Sequence, residues 1–244
     1  MKFYRRLNTI KAMSFDLDDT LWPLMPPILA AEKALKAWLL EHVPAAAEQY
    51  RAGAFNDIRS GLVNGFPERV ADVSWLRKEL LRRLFVRAEL PDNAINRLVD
   101  EAFAVFINAR CAVTLYDDSE SALFSLSRQY RLVAITNGNA DVFATPVGAL
   151  FEFALSPVQP SLAGVAKPDS KIFSHAAERL NMSGSEILHI GDCLNADVGG
   201  ANAAGWLSAL MWRSGDGLPS GHGADVVVRS MAELQALLLG SSCR

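Results

Sequence analysis

The residues best suited to chemistry in this sequence are carboxylates, a threonine and a lysine that lie close to the ends of short apolar runs. The first apolar run ends at Asp16, and Asp18 follows after one intervening residue. A later run ends at Thr136 in the sequence ITNGN, and another ends at Gly-Asp with Asp192. Lys167 lies in the sequence AKPD, just before a helical pattern.

Acids, a hydroxyl and a lysine gathered at one place suit the transfer of a phosphoryl group. Carboxylate oxygens bind Mg²⁺, while a lysine, a hydroxyl and backbone amides hold phosphoryl oxygens. One carboxylate is then free to attack phosphorus. Each signal is weak by itself, because an acidic pair or a Thr-Asn-Gly turn is often only structural. Their shared position after apolar runs is what supports the hypothesis.

The elements that must position these residues are short strands alternating with helices. The sequence predicts strands at 10–15, 131–136, 153–156, 186–190, 207–212 and 225–228. Helical patterns lie between them at 119–129, with Asp118 as the expected N-cap, and at 169–180 and 231–239. This alternation predicts an α/β fold with a Rossmann-like parallel sheet. Ligands bind such sheets at the carboxyl ends of the strands.

The segment 24–110 breaks the alternation and contains no strand pattern. Four helical patterns are predicted there, at 28–42, 45–60, 74–88 and 92–108, with turn formers at 61–67. We therefore predict an α/β core formed by 1–23 and 111–244, with an all-helical cap inserted at 24–110.

Composition excludes several other classes of protein. Half of the 244 residues are hydrophobic and the formal net charge is -3, which gives no bulk attraction to nucleic acid. Apolar runs are far shorter than the ~20 residues that span a bilayer, and no signal-peptide pattern follows the basic N-terminus. The three cysteines form no CxxC pair. We expect a cytoplasmic protein without nucleic-acid or membrane partners. The sequence leaves the oligomeric state open and favours a monomer.

Taken together, the motifs resemble those of the haloacid dehalogenase superfamily of phosphatases, in the branch with a helical cap between the first and second motifs. FDLDDT at 15–20 matches the first motif, and Thr136 matches the second. Lys167 matches the third, and GDCLNAD at 191–197 matches the fourth. Longer segments resemble bacterial phosphatases of this superfamily that act on FMN and on a phosphorylated ribitylamino-uracil intermediate of riboflavin synthesis.

The resemblance implies roles for the acidic residues. Asp16 would be the nucleophile that forms an aspartyl-phosphate. Asp18 would be the general acid for the leaving oxygen and then the general base for water. Mg²⁺ would be bound by Asp16, by the main-chain carbonyl of Asp18 and by Asp192. The substrate would be a small phosphorylated metabolite.

The resemblance also implies which groups hold the phosphate. Thr136 and the backbone of Asn137 and Gly138 would bind phosphate oxygens. Lys167 would hold the nucleophile and the phosphoryl group by charge. Asp197 would contact the groups that bind the metal, or Lys167, and hold them in position.

Three further residues near the motifs have two interpretations each. Trp22 is either a substrate contact on the cap side or a core residue. Cys193 follows Asp192 where some relatives carry an aspartate, and we interpret it as neutral for the chemistry. His189 lies inside a strand pattern, which favours a packed core histidine over a metal ligand.

The motifs leave related activities open. A phosphomutase would use the same residues. A haloacid dehalogenase needs no acid at Asp18, because a halide leaves without a proton. A phospho-aspartate signalling domain would carry an acidic pair after the first strand but its phosphorylated aspartate after a later strand, and it would have no helical insertion. The one-residue separation of Asp16 and Asp18 and the long helical insertion both disfavour it.

Overall fold

The computed structural model describes residues 9–214, 217–218 and 220–240. Its strands are β1 Ala12–Phe15, β2 Arg131–Ile135, β3 Phe151–Leu155, β4 Ile187–Gly191, β5 Leu207–Met211 and β6 Val226–Val228. Its helices are α1 Met25–His42, α2 Pro44–Arg51, α3 Ala54–Gly65, α4 Val73–Arg87, α5 Asp92–Cys111, α6 Ser119–Ser127, α7 Ser170–Leu180, α8 Gly200–Ala203 and α9 Met231–Leu239. A π-helical turn spans Leu194–Gly199.

The six strands form one sheet in the order β3-β2-β1-β4-β5-β6, and each neighbouring pair is parallel. Every residue of β1, β4 and β5 is buried, as expected for strands with both sheet faces covered. The predicted α/β fold with a Rossmann-like parallel sheet is confirmed. Because β1 lies between β2 and β4, the loops that follow these strands emerge side by side.

The chain divides into two compact units. The α/β unit contains the described residues of Met1–Pro23, Thr114–Ser156 and Val165–Arg244, and the helical unit contains Leu24–Val113 and Pro157–Gly164. Sequence analysis placed the end of the helical insertion at 110 and assigned 157–164 to the core. Within the helical unit, a Cβ on Gly164 would lie 2.8 Å from the carbonyl oxygen of Glu68. The 157–164 segment therefore packs closely against the turn before α4.

The helical unit has its own hydrophobic core, in which α1 packs along α5. Leu35 and Leu39 from α1 are buried together with Val99 and Phe106 from α5. Burial of this apolar stripe, rather than helix propensity alone, stabilises such helices.

Two local predictions in the helical unit were wrong. The helix predicted at 45–60 is two helices, α2 and α3, separated by Gly53 with φ +87°. A left-handed backbone ends a helix, and glycine adopts it without steric penalty. The turn predicted at 61–67 is also wrong, because α3 continues through Asn64 to Gly65.

No helix among the described residues is long and apolar enough to cross a membrane.

Asp118 does not cap α6 with its side chain, contrary to the prediction. Its carboxylate instead accepts from the backbone N–H groups of Met231 at 2.6 Å and Ala232 at 3.4 Å, at the start of α9. Arg213 Nη1 also donates to this carboxylate at 3.3 Å. A carboxylate at a helix N-terminus pairs with amides that have no partner inside the helix. Asp118 therefore joins α6 to the C-terminal helix.

We predict that Asp118→Ala lowers the free energy of unfolding by about 1–2 kcal/mol, because it removes a cap and a charged hydrogen bond. Urea denaturation of the purified variant measures this change. Asp117→Ala is the matched control, since Asp117 is exposed and its loss removes the same charge. Equal stability of the two variants would contradict the assigned role of Asp118.

Candidate active site

The centre of the site is a buried lysine held between two carboxylates. Lys167 Nζ donates to Asp16 Oδ1 and to Asp197 Oδ1, each at 2.6 Å. The Lys167 side chain is 2% exposed, and that of Asp197 is fully buried. Asp16 directly follows β1, Asp197 lies in the π-helical turn after β4, and Lys167 precedes α7. The sheet thus brings together three charges that lie far apart in the sequence.

Burial alone would lower the pKa of Lys167, but the carboxylates of Asp16 and Asp197 outweigh burial and raise it. Burial likewise acts to raise the pKa of Asp197. The charge of Lys167 and a hydrogen bond from His189 overcome that effect and lower it. A buried charge is stable only when it is paired. Lys167 and Asp197 are therefore both ionised.

Three carboxylates form an acidic cluster next to this lysine. Asp16, Asp192 and Asp197 each offer an oxygen, and these oxygens lie within 4.8 Å of one another. Burial raises the pKa of Asp16, and the charges of Asp197 and Asp192 raise it further against the opposing charge of Lys167. Burial and the charge of Asp197 also raise the pKa of Asp192 to about 6. A hard divalent cation relieves this repulsion and prefers carboxylate oxygens, so the cluster fits Mg²⁺.

Asp197 is tied to its surroundings through both carboxylate oxygens. Oδ1 lies 3.0 Å from His189 Nε2 and also accepts from Lys167, while Oδ2 accepts from the backbone N–H of Cys193 at 2.9 Å. A Cβ on Gly191 would lie only 2.2 Å from the Asp197 carboxyl carbon, so glycine is needed there. These contacts agree with the supporting role that we predict for Asp197.

His189 is buried in β4 and contacts Asp197, so its role goes beyond packing in the core. Burial lowers its pKa, which favours the neutral ring. Because the ionised Asp197 can only accept, Nε2 carries the ring proton. Nδ1 then accepts from Ser14 Oγ at 3.0 Å. Both residues lie within strands predicted from the sequence, but the pairing of those strands was needed to join them.

The loop after β2 supports Lys167 in a way that sequence analysis missed. The Asn137 side chain donates to the Lys167 carbonyl and accepts from the Lys167 N–H, both at 2.8 Å. Thr136 is buried, and its Oγ1 accepts from the N–H of Gly138 at 3.0 Å. The structure thus brings Asn137 to the lysine and joins Thr136 to Gly138 within the same loop, and phosphate binding by Thr136, Asn137 and Gly138 stays a prediction.

Asp192 is supported by residues that the motif analysis did not assign. Thr20 Oγ1 donates to Asp192 Oδ1 at 3.3 Å. The Thr20 carbonyl accepts from Arg213 Nη2 at 3.1 Å, and the Arg213 guanidinium lies 3.9 Å from the Tyr116 ring centroid. Arg213 follows β5, so a third strand end supports the acidic cluster.

Asp18 and Trp22 form a separate pair in the first motif. Trp22 Nε1 donates to Asp18 Oδ1 at 2.9 Å, and Trp22 is fully buried. This burial favours the core interpretation of Trp22 over a substrate contact, which stays a prediction. The main-chain carbonyl of Asp18 as a metal ligand also stays a prediction. Cys193 is exposed, and its Sγ accepts from the N–H of Ala196 at 3.4 Å.

Comparison with known proteins identifies the class. A family model described as haloacid dehalogenase-like hydrolase matches residues 10–205. The chain belongs to this family, so the resemblance seen in its motifs is confirmed.

Three individual proteins are similar to this chain over most of its length. The chain is 34% identical over 205 residues to 5-amino-6-(5-phospho-D-ribitylamino)uracil phosphatase YigB of Escherichia coli K12, covering 84% of each chain. It is 30% identical over 212 residues to glyceraldehyde 3-phosphate phosphatase of Methanopyrus kandleri, again covering 84% of each. A solved structure named 2-haloacid dehalogenase from Pseudomonas syringae superimposes with TM-score 0.87 at 32% identity, over 96% of this chain and 100% of that one. Family and phosphatase relatives support a phosphoric monoester hydrolase.

The raised pKa of Asp192 predicts a pH dependence of Mg²⁺ binding. Below a pKa of about 6 the Asp192 carboxyl is protonated and must release its proton to bind a cation. The affinity for Mg²⁺ should therefore rise as pH increases from 5 to 7, by about tenfold per pH unit where one proton is released. Titration calorimetry in two buffers of different ionisation enthalpy measures both affinity and released protons. Asp192→Asn should lower the number of protons released without removing the release altogether, because the pKa of Asp16 is also raised. An affinity independent of pH in the unmodified protein would contradict the assignment.

Proposed function

We propose that this protein is a Mg²⁺-dependent phosphatase that hydrolyses a small phosphomonoester through an aspartyl-phosphate on Asp16. The observation that carries the proposal is the 2.6 Å contact between Lys167 Nζ and Asp16 Oδ1. Asp16 belongs to the acidic cluster with Asp192, and Asp18 follows it after one intervening residue. A buried carboxylate kept close to a fixed positive charge can approach an anionic phosphate, because the lysine offsets their repulsion.

In the first step, an Asp16 oxygen attacks phosphorus and the bond between phosphorus and the ester oxygen breaks. Asp18 gives its proton to that leaving oxygen, so the product departs as a neutral alcohol. In the second step, Asp18 takes a proton from water as the water attacks the aspartyl-phosphate. This restores Asp16 and protonated Asp18 and releases inorganic phosphate.

The other residues hold the phosphoryl group in place. Lys167, the Thr136 hydroxyl and the backbone of Asn137 and Gly138 would bind its oxygens. Mg²⁺ would be held by Asp16, by Asp192 and by the main-chain carbonyl of Asp18. It would supply positive charge that offsets the negative charge of the phosphate. Asp197 keeps Lys167 in place through the shared ion pair.

The proposed substrate is FMN or a phosphorylated riboflavin precursor. The Escherichia coli relative, named for its action on 5-amino-6-(5-phospho-D-ribitylamino)uracil, supports this choice. A haloacid dehalogenase is the alternative, favoured by the name of the Pseudomonas syringae structure. Asp18 favours the phosphatase, because an alkoxide leaving group needs a proton and a halide does not.

We predict that Asp16→Asn lowers kcat for an aryl phosphate by at least ~10³-fold, because the amide cannot form the aspartyl-phosphate. A chelator should abolish activity, and added Mg²⁺ should restore it. Asp117→Asn, at an exposed carboxylate of the same unit, should keep wild-type activity. An active Asp16→Asn variant would show that another group is the nucleophile.

The substrate proposal predicts the order of kcat/KM values in a panel of esters. FMN and the ribitylamino-uracil phosphate should exceed sugar phosphates and nucleotides by about tenfold or more, a difference of 1.4 kcal/mol or more in transition-state binding. Release of inorganic phosphate measures each rate, and halide release from a 2-haloacid should be absent. If both riboflavin-related esters rank lowest, the substrate class is wrong even where phosphatase activity holds.

A further inference from the structure

The loop that follows β1, residues 16–22, closes on itself through two contacts of Trp22. The backbone N–H of Asp19 donates to the Trp22 carbonyl at 2.7 Å, while the Trp22 indole donates to the Asp18 carboxylate at 2.9 Å. Asp19 has φ +57°, which lets the chain turn sharply between these contacts. Backbone and side chain of one tryptophan therefore both bind the turn that carries Asp18.

The far side of the loop is also fixed. The Leu21 carbonyl accepts from the N–H of Tyr116 at 3.0 Å and from Ser119 Oγ at 3.1 Å. Leu21 and Trp22 are both fully buried. A buried indole between such anchors has little freedom to rotate, so its N–H keeps one direction.

We propose that Trp22 is a positioning residue for the acid–base carboxylate Asp18. An indole nitrogen donates and cannot accept, so Asp18 must receive this bond through a carboxylate oxygen. The bond fixes the rotation of the carboxyl group while adding no charge beside it. Full burial leaves Trp22 no surface with which to bind substrate, which separates this role from a substrate contact.

The role rests on the proposed function, since it concerns the proton that Asp18 gives to the leaving oxygen. That proton matters most for a poor leaving group. A primary alkyl ester such as FMN leaves as a basic alkoxide, whereas 4-nitrophenyl phosphate leaves as a stable phenolate that needs little protonation. Misplacement of Asp18 should therefore slow the alkyl ester selectively.

The test is kcat/KM of Trp22→Phe for these two esters, because kcat/KM reports transfer of the phosphoryl group to Asp16 irrespective of how fast the intermediate is hydrolysed. Phenylalanine keeps an aromatic ring and removes the N–H. We expect kcat/KM to fall about tenfold or more for FMN and less than about threefold for the aryl ester. Trp206→Phe, at a buried tryptophan of the same unit, should leave the ratio of the two rates unchanged.

A second replacement controls for packing. If Trp22→Phe does not fold, benzothienylalanine at position 22 keeps the shape of the indole and replaces N–H with sulfur. It should reproduce the selective loss. Equal loss on both esters in a folded variant would overturn the positioning role while leaving the phosphatase intact. Failure of the wild-type protein to hydrolyse either ester would overturn the proposed function and this role together.

The hydrogen bond from Trp22 to Asp18 can also be detected without an activity assay. In protein labelled with ¹⁵N-tryptophan, Asp18→Ala should shift the indole resonance of Trp22 more than those of the other four tryptophans. A Trp22 resonance that does not move would show that the indole does not donate to Asp18 and would overturn the proposal.

Discussion

The ion triad of Lys167 with Asp16 and Asp197 is the interaction on which the rest of the site depends. Ionisable groups removed from water carry a large desolvation penalty unless they satisfy one another. Distances of 2.6 Å from one ammonium to two carboxylates meet that condition. Such contacts form only if the ends of β1 and β4 and the loop before α7 reach the same point. The parallel sheet, with β1 beside β4, meets that geometric demand.

The residues around the triad are explained by the same constraint. Asn137 pairs with both backbone groups of Lys167, which fixes where the lysine side chain begins. His189 and the backbone of Cys193 complete the hydrogen bonds of Asp197. Gly191 leaves room for the Asp197 carboxyl, since any side chain there would overlap it. Each residue acts on the position of a charge, so these hydrogen bonds fix the geometry in which the charges meet.

Sequence patterns predicted the strands and the motif residues because both signals are local. A run such as LVAI followed by Thr136 is visible in a few residues of sequence, and the common edge of a parallel sheet then brings such residues together. The side-chain partners could not be predicted, because Asp118 with α9, and Ser14 with His189, are joined only by tertiary packing. The left-handed Gly53 was visible, but nothing local distinguished it from a tolerated helical glycine.

The first motif places two carboxylates one residue apart and gives them different partners. Asp16 faces the ammonium of Lys167, a full positive charge that opposes the rise of its pKa on burial and so favours the anion that the proposed mechanism needs. Asp18 faces the Trp22 indole, a donor without net charge. An uncharged donor orients a carboxyl group without placing a charge beside it, which suits the acid–base role proposed for Asp18. Pairing one carboxylate with a charge and the next with a dipole would let a single turn supply both the nucleophile and the acid–base group of the proposed mechanism.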